Sequence, residues 1–417
     1  MNNFLKYKYI YLLFLLLYLS LIFGFYTDEN LNLGAIGDWI GTDLPVINDL
    51  SLNIKKTLLS YESYGHRHSP VYLIFLSLFK KIGFSIENIR FFHLNLSLLL
   101  IVYFYKCLIF KFDKVEKNIL LLLSLTIFLS PTFRSLAIWP SSRLIGLIFF
   151  VISTYEFLKF LKDPKKIYMW KNIFFLIISS YVSPNFSLFI IFFTYHYLKK
   201  VAFKDLIILL LFCFISSIPA FYYIFILDIN FLLAGTPGIN EIEKVSLSFN
   251  FSNKILIIGS ILFFHLIPFL INKEFFHNFI RPKKKDFLII GIFLILNIPF
   301  FDYVMNFTGG GVFFHLSNFF FKNNYFFYFI SFISLMLIYT FSKNNLNNFL
   351  VFILLIASNI QNTIYHKYYD PLIMILFFTL INNPLNYEFF SNRNKVFYVY
   401  IFYFIFIFMR IVKNNYL

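Results

Sequence analysis

The chain alternates between long apolar runs and short basic breaks from one end to the other. Apolar runs are separable at 9–26, 88–110, 117–136, 138–161, 171–183, 185–199, 204–227, 254–272, 286–303, 325–342, 346–362, 369–383 and 396–412. A helix rising about 1.5 Å per residue needs roughly 20 apolar residues to cross a hydrocarbon core of about 30 Å. The pattern predicts an all-α integral membrane protein with about thirteen transmembrane helices. The number falls to about eleven if Ser130-Pro131 and Ser183-Pro184 kink single helices and do not separate two. No repeat, low-complexity linker or soluble block interrupts the pattern, so residues 1–417 read as one polytopic domain.

The basic residues orient these runs. With the N-terminus in the cytoplasm, Lys106 to Lys117, Lys159 to Lys171, Lys199 to Lys204, Lys273 to Lys285, Lys343 and Arg393 to Lys395 all fall on the inner side. The first segment has a basic leader (Lys6, Lys8) and no small-residue cleavage site, so it reads as a retained first helix. The first outer loop, 27–87, is the longest polar stretch of the chain. Within it, residues 70–82 are apolar for too short a length to cross and end in Lys80-Lys81, which predicts a helix lying in the membrane interface.

Composition agrees and excludes other classes. Hydrophobic residues make up 59% of the chain and charged residues 13%, against about 25% charged in a soluble domain. The net charge of +16 sits in loops between apolar runs, which is the positive-inside pattern and not a face for nucleic acid. Cys107 and Cys213 lie in or beside apolar runs and offer neither a disulfide framework nor a metal cluster. The 64 phenylalanines and 29 tyrosines read mostly as compositional bias, with Phe and Ile filling lipid-facing positions, and do not define an aromatic binding stripe.

Candidate chemistry concentrates at the outer ends of the predicted helices. Asp28-Glu29 stands at the mouth of the first helix, where a carboxylate is costly unless it is used. Asp28 is the preferred general base for an acceptor hydroxyl or amine, and a helix-flanking acid that marks the bilayer edge is the alternative. Asp38, Asp43 and Asp49 compete with it. Asp38 and Asp43 sit in turn-like sequence, and Asp43 is kept as a second catalytic carboxylate. His66 and His68 lack the cysteine or paired glutamate of a zinc site, so no metal is indicated, and no other cofactor is implied. Arg134 and Arg143 flank Trp139-Pro140 as phosphate candidates. The run Thr308-Gly309-Gly310-Gly311, with Lys322 nearby, could form a backbone anion nest or a plain turn.

These elements follow a recognisable order. Asp28-Glu29 is followed by His68-Ser69-Pro70-Val71-Tyr72, then Phe79 to Gly83, then a helix opening at Arg90. Ser130-Pro131 with Arg134 and Arg143 comes next. This order resembles the GT-C superfamily of integral membrane glycosyltransferases, in particular protein O-mannosyltransferases and lipid A aminoarabinose transferases. The resemblance is carried by the first 200 residues and continues beyond them in topology only. It implies an inverting transfer of a sugar from a polyprenyl-phosphate donor to a glycolipid, polysaccharide or protein acceptor. The expected setting is the outer side of a bacterial inner membrane. It places Asp28, Glu29 and Asp43 at the catalytic centre and His66, His68, Tyr72, Arg134 and Arg143 in substrate binding. Tyr365-His366-Lys367-Tyr368-Tyr369-Asp370-Pro371 resembles the basic-Tyr-Pro element of such chains, with Lys367 meeting the donor phosphate and His366 and Tyr368 beside it. An interfacial lysine in an aromatic belt is the alternative for Lys367. Two other functions remain open, a transporter or flippase for lipid-linked saccharides and a polysaccharide polymerase.

Overall fold

The computed structural model of the protein describes residues 2–64, 69–226, 250–271, 283–304, 309–359, 361, 363–391 and 394–416. Every regular element among them is helical. Seven helices are long and apolar enough to cross a membrane, or eight if the bent pair 117–129 and 131–138 is one span. By these apolar lengths the chain is a multi-pass helical membrane protein. The described residues hold fewer full-length spans than the thirteen expected, because several apolar runs are built as helices too short to cross. The chain divides into two compact units, residues 1–240 with 400–417, and residues 241–399.

The first unit begins with α1 (Asn2–Tyr26), followed by a loop of short helices: α2 (Leu33–Asp38), a π-helical turn (Trp39–Asp43), α3 (Leu44–Leu52), α4 (Ile54–Leu59) and α5 (Pro70–Lys81). The helix expected at 70–82 is therefore present as α5. Pro70 occupies its first turn and the Ser69 hydroxyl accepts from Val71 N at 3.4 Å, a sequence-encoded start. Next come α6 (Ile86–Lys111), α7 (Lys117–Leu125), α8 (Pro131–Ile138), α9 (Ser142–Lys162), α10 (Lys166–Val182), α11 (Phe189–Tyr197) and α12 (Phe203–Phe221). Between α7 and α8 the chain bends by 65°. Pro131 has no N–H to continue the preceding helix, and Ser130, in extended backbone, accepts from Phe133 N at 3.0 Å to start the new one.

Helices surrounded by lipid gain little from apolar burial, so small residues and polar bonds tie them together. Ser179 Oγ donates to the Gly146 carbonyl at 2.7 Å, joining α10 to α9. Asn172 Nδ2 donates to the Ser153 carbonyl at 2.8 Å, and Tyr197 OH donates to Asn172 Oδ1 at 2.7 Å, which brings α11 onto the same pair. Tyr18 OH donates to Asn95 Oδ1 at 2.8 Å between α1 and α6.

The second unit contains α13 (Phe251–Leu270), α14 (Lys284–Asn297), α15 (Gly311–Phe321), α16 (Tyr325–Ser342), α17 (Leu346–Ala357), α18 (Leu372–Thr379) and α19 (Pro384–Phe390). The last helix, α20 (Asn394–Tyr416), starts in this unit and continues in the first from Tyr400. The two ends of the bundle are marked by polar ties. At one end Asn250 and Asn253 donate to Asp302 Oδ1 at 2.8 and 2.6 Å. At the other, Lys343 pairs with both oxygens of Asp286 at 2.8 and 2.6 Å, and Tyr339 OH adds a bond at 3.2 Å. The Lys343 ammonium holds the Asp286 carboxyl below its ordinary range.

Residues 346–383, expected to form two full spans, instead form a hairpin whose feet share one end. Asn348 Nδ2 donates to the Asn382 carbonyl at 2.9 Å, and Asn382 N returns a bond to Asn348 Oδ1 at 2.9 Å. Lys343 adjoins these feet in sequence, and Phe377 packs on Phe269 and Phe341 at 5.2 and 6.2 Å between centroids. The 12 residues of α17 and 8 of α18 rise only about 18 and 12 Å, so the tip stops inside the bundle.

A second segment enters from the Asp302 end and meets that tip. The Ile364 N–H donates to Tyr303 OH at 3.2 Å, and Gly310 N donates to the Ile364 carbonyl at 3.0 Å. Gly309 is glycine for a reason: its φ is +123°, and a Cβ there would lie 2.6 Å from the Ile364 oxygen. Gly311, at the start of α15, lies against Ile261 midway along α13. Two broken segments thus satisfy each other's backbone, as irregular chain inside an apolar bundle must.

A cysteine at Gln361 tests this arrangement, with Asn344→Cys as the control at the feet. Asn344→Cys should react with a membrane-impermeant maleimide on one face of the membrane. Gln361→Cys should stay unmodified when the reagent is on the opposite face only. Modification from that opposite face would show that α17 and α18 are full spans.

Candidate functional site

The acidic pair is built into the end of α1. Glu29 N donates to the Gly24 carbonyl at 2.8 Å and Asp28 N to the Phe25 carbonyl at 3.4 Å. Asp28 itself is left-handed, with φ of 51°. These are the two bonds and the αL residue of a Schellman cap, a position where aspartate is tolerated better than most non-glycine residues.

Two negative charges at a helix C-terminus oppose its dipole, at about 0.3–1 kcal/mol each. Arginines from two other helices offset that cost. Arg134 of α8 grips Glu29 with two bonds, Nε to Oε1 and Nη2 to Oε2, both at 2.6 Å. Its remaining donors reach α1, with Nη1 to Ser20 Oγ at 3.2 Å and Nη2 to the Ser20 carbonyl at 3.0 Å. The Arg134 side chain is 5% exposed and the Glu29 side chain 21%. Gly24 makes room for this pair, since a Cβ there would sit 2.7 Å from Glu29 Oε2 and 3.1 Å from Arg134 Nη2.

Arg90 of α6 takes the other acid. Its Nη2 meets Asp28 Oδ1 at 2.7 Å, and its guanidinium lies over the Trp139 ring at 3.8 Å and near the Phe25 ring at 5.0 Å. Trp139 is fixed in turn by Nε1 donating to the Glu29 carbonyl at 3.0 Å. The Asp28 side chain is 60% exposed. Arg90 engages one carboxylate oxygen and leaves the other facing outward, so the group is oriented and still approachable.

A buried chain of polar groups supports this arrangement from below. His93 lies one helical turn beyond Arg90 on α6. Its Nε2 donates to the Leu136 carbonyl of α8 at 2.8 Å, which leaves Nδ1 to accept from Tyr72 OH at 2.5 Å. Burial, and next the Asp43 carboxylate, push the Tyr72 hydroxyl well above its ordinary range. The same two causes, in the same order, act on Tyr61. Asp43 is therefore a buried acid, 2% exposed, close in charge effect to two tyrosines.

The expected site residues fall into three groups. Asp28, Glu29 and Arg134 come together, Tyr72 joins His93 in the buried chain with the Asp43 charge acting on it, and Arg143 opens α9, half-buried. His66 and His68 lie outside the described residues, as does Thr308. His366, Lys367 and Tyr368 belong to the second unit. There Lys367 lies over the Tyr365 ring at 5.2 Å, Tyr368 OH donates to Gln361 Oε1 at 3.2 Å, and His366 stacks on His265. The glycine run spends one N–H on Ile364, as described above, and Lys322 follows α15 with its cation over Phe319 at 5.6 Å. Among the described residues, no group of three His, Cys, Asp or Glu side chains is placed to hold a metal ion.

Sequence reasoning missed three contributors: Arg90 as partner of Asp28, Trp139 as its platform, and His93 as the link to Tyr72. The i, i+3 spacing of Arg90 and His93, which puts both on one helix face, was the available signal. No protein-family model, curated protein or solved structure matches the chain.

The Arg134–Glu29 pair can be tested through stability. Arg134→Met strands a largely buried carboxylate and should cost about 3 kcal/mol, read as a fall in the thermal midpoint of protein in detergent. The double variant with Glu29→Gln should recover more than half of that loss, because no uncompensated charge remains. Equal losses in the single and double variants would show that Arg134 contributes only through packing.

Proposed function

We propose that the chain is a GT-C-like glycosyltransferase that moves a sugar from a polyprenyl-phosphate donor to an acceptor at the outer side of a bacterial inner membrane. The observation that carries this reading is Asp28: a carboxylate at the mouth of a membrane helix, held at Oδ1 by Arg90 and 60% exposed at the side chain. In this reading the free side of the carboxylate takes the proton from an acceptor hydroxyl or amine as that group attacks the sugar's anomeric carbon. The bond to the polyprenyl phosphate breaks as the new bond forms, with inversion. Glu29 then serves the site by holding the end of α1 to α8. Asp43 is buried and serves through its charge effect on Tyr72, which His93 holds. His366, Lys367 and Tyr368 lie in the second unit, and the proposal stands on the first unit alone.

A specific observation favours a second reading, a transporter or flippase of lipid-linked saccharides. The two broken segments that meet inside the second unit are of the kind that build substrate and ion sites in transporters.

One experiment separates the two. Purified protein is given polyprenyl-phosphate sugars with glycolipid, polysaccharide and peptide acceptors, and proteoliposomes are assayed for movement of the same lipids. Asp28→Asn keeps shape and tolerates the left-handed backbone but cannot take the proton. It should lower turnover about 10²–10⁴-fold with little change in donor affinity. Lipid movement without sugar transfer, unchanged in Asp28→Asn, would establish the transporter.

A further inference from the structure

Near the C-terminal ends of α6 and α9, in the first unit, three lysines are carried on a connected run of aromatic rings. Lys106 of α6 has its Nζ 4.4 Å from the Tyr103 ring centroid, and Tyr103 meets Tyr155 of α9 edge-on at 6.1 Å. Lys159 of α9 lies over the same Tyr155 ring at 4.3 Å. Phe110 of α6 also contacts Tyr155, at 6.2 Å, and Lys162 lies over Phe110 at 5.3 Å. Three ammonium groups are thus gathered around one tyrosine. This end of the bundle is the one that the positive-inside pattern places in the cytoplasm. We infer that this surface binds one anionic phospholipid, with its phosphate among Lys106, Lys159 and Lys162 and its acyl chains lying along α6.

Depth and polarity fit a lipid. Lys106 lies about 7.5 Å of helix rise from the end of α6, and Lys159 about 4.5 Å from the end of α9. Both therefore sit at headgroup level, where amphipathic tyrosine rings are also at home. Towards the bilayer middle the same face of α6 turns apolar. Leu99 and Val102, 36% and 44% exposed, precede Lys106 by seven and four residues and share its face. A soluble anion would use the lysines and leave this apolar stripe idle. A phospholipid uses both.

Acids within the protein do not use up this charge. Residues 103–117 and 155–171, which build this end of α6, α9 and α10, hold nine lysines against four acids. Lys159 bonds Glu156 Oε1 at 2.9 Å, but an ammonium group has three protons to donate, and the Glu156 side chain is only 9% exposed. Lys162 meets Asp113 at 3.2 Å with both side chains more than half exposed, and such a pair is worth little and opens readily. The neighbouring Lys165 and Lys166 are turned to Asp163 and to Asp205 of α12, at 2.6 and 2.9 Å. Lys106 itself is exposed.

Lys106 is 16 residues along α6 from Arg90, about 24 Å of helix, so this site does not depend on the chemistry proposed for Asp28. It also differs from the general attraction of basic loops to an anionic leaflet, which is shared among all of them and has no fixed stoichiometry. A single lipid held by α6 and α9 together stabilises their contact by mass action.

Native mass spectrometry of the full chain, titrated in detergent with phosphatidylglycerol or with phosphatidylcholine of the same acyl chains, counts the lipids bound. The first phosphatidylglycerol should bind about tenfold or more tighter than the second, and tighter by a similar factor than the first phosphatidylcholine. Lys106→Gln and Lys162→Gln should each weaken that first binding about fivefold. Lys204→Gln removes an exposed charge at the start of α12, away from the three lysines, and should leave it unchanged. Inorganic phosphate in large excess should not displace the lipid. The thermal midpoint of the unaltered protein should rise with phosphatidylglycerol and level off at one lipid per chain, a readout that needs no variant. Equal binding of the two lipids overturns the proposal. Equal weakening by Lys204→Gln would show diffuse attraction, displacement by phosphate would show a site for soluble anions, and full affinity in both Lys106→Gln and Lys162→Gln would put the lipid elsewhere. Each of these overturns it.

Discussion

Two carboxylates sit at the C-terminal end of a helix, against its dipole, and the first unit is organised around that conflict. Left alone, Asp28 and Glu29 would loosen the last turn of α1 and repel each other at the edge of an apolar environment. Arg134 and Arg90 reverse the effect, and each does so from a different helix. Glu29 therefore ties α1 to α8, and Asp28 ties α1 to α6. The tryptophan beneath Arg90 is held by the Glu29 carbonyl, so the two ion pairs share a support. The exposed pair contributes about 0–1 kcal/mol and cannot hold the unit together. The Glu29–Arg134 pair, mostly shielded from water, is the stronger tie.

That tie depends on α8, a helix of only 8 residues. Its side chains and carbonyls serve nearly every neighbour: Arg134 for α1, Ser135 Oγ for Asn32 N at 2.9 Å, and the Leu136 carbonyl for His93. A straight helix continuing from α7 would point these groups along the bundle. The 65° bend at Ser130-Pro131 turns them across it. Asn414 of α20 reaches the same region, donating to the Asn30 carbonyl at 3.1 Å. The proline break, which in the sequence makes the helix count ambiguous and marks one motif of the resemblance, is thus the feature that assembles the candidate site.

Much of this is legible in the sequence. The crossing helices follow from apolar length, α5 from a Ser-Pro start and a lysine end, and the acidic pair from its place at a helix mouth. Apolar length also misleads. Residues 346–362 and 369–383 are apolar enough to read as spans, but hydropathy does not register that Asn345, Asn348 and Asn382 bond to one another and fold the two runs into a hairpin. Arg134 reads as a phosphate ligand because basic residues near an outer turn are usually available. Its pairing with Glu29 joins positions far apart in the chain, and single-sequence reasoning has no access to such contacts. Arg90 and Trp139 are missed for the same reason. Asp43 looks like turn chemistry, and it does lie in a helical turn, but its burial depends on packing of α5 over the loop.

Asp28, Glu29, Asp43 and Asp370 end up in three physical settings, and the setting limits what each can do. Glu29 has both oxygens committed to one guanidinium and little exposure, so it can hold but cannot readily exchange a proton with a ligand. Asp43 and Asp370 are buried, where changes in their charge are felt by neighbouring tyrosine or histidine groups and not by solvent. Asp28 alone of these is both fixed and open. Arg90 sets its direction through one oxygen, and the stacking of Arg90 on Trp139 sets the direction of Arg90. A base must be oriented before it is useful, because a misplacement of about 1 Å can cost a hundredfold in rate. The left-handed backbone at Asp28 accomplishes the first part of that orientation, since it turns the side chain away from the axis of α1 and towards α6. The same cap that ends the helix therefore aims the carboxylate, and a glycine there would keep the turn while removing the group it aims.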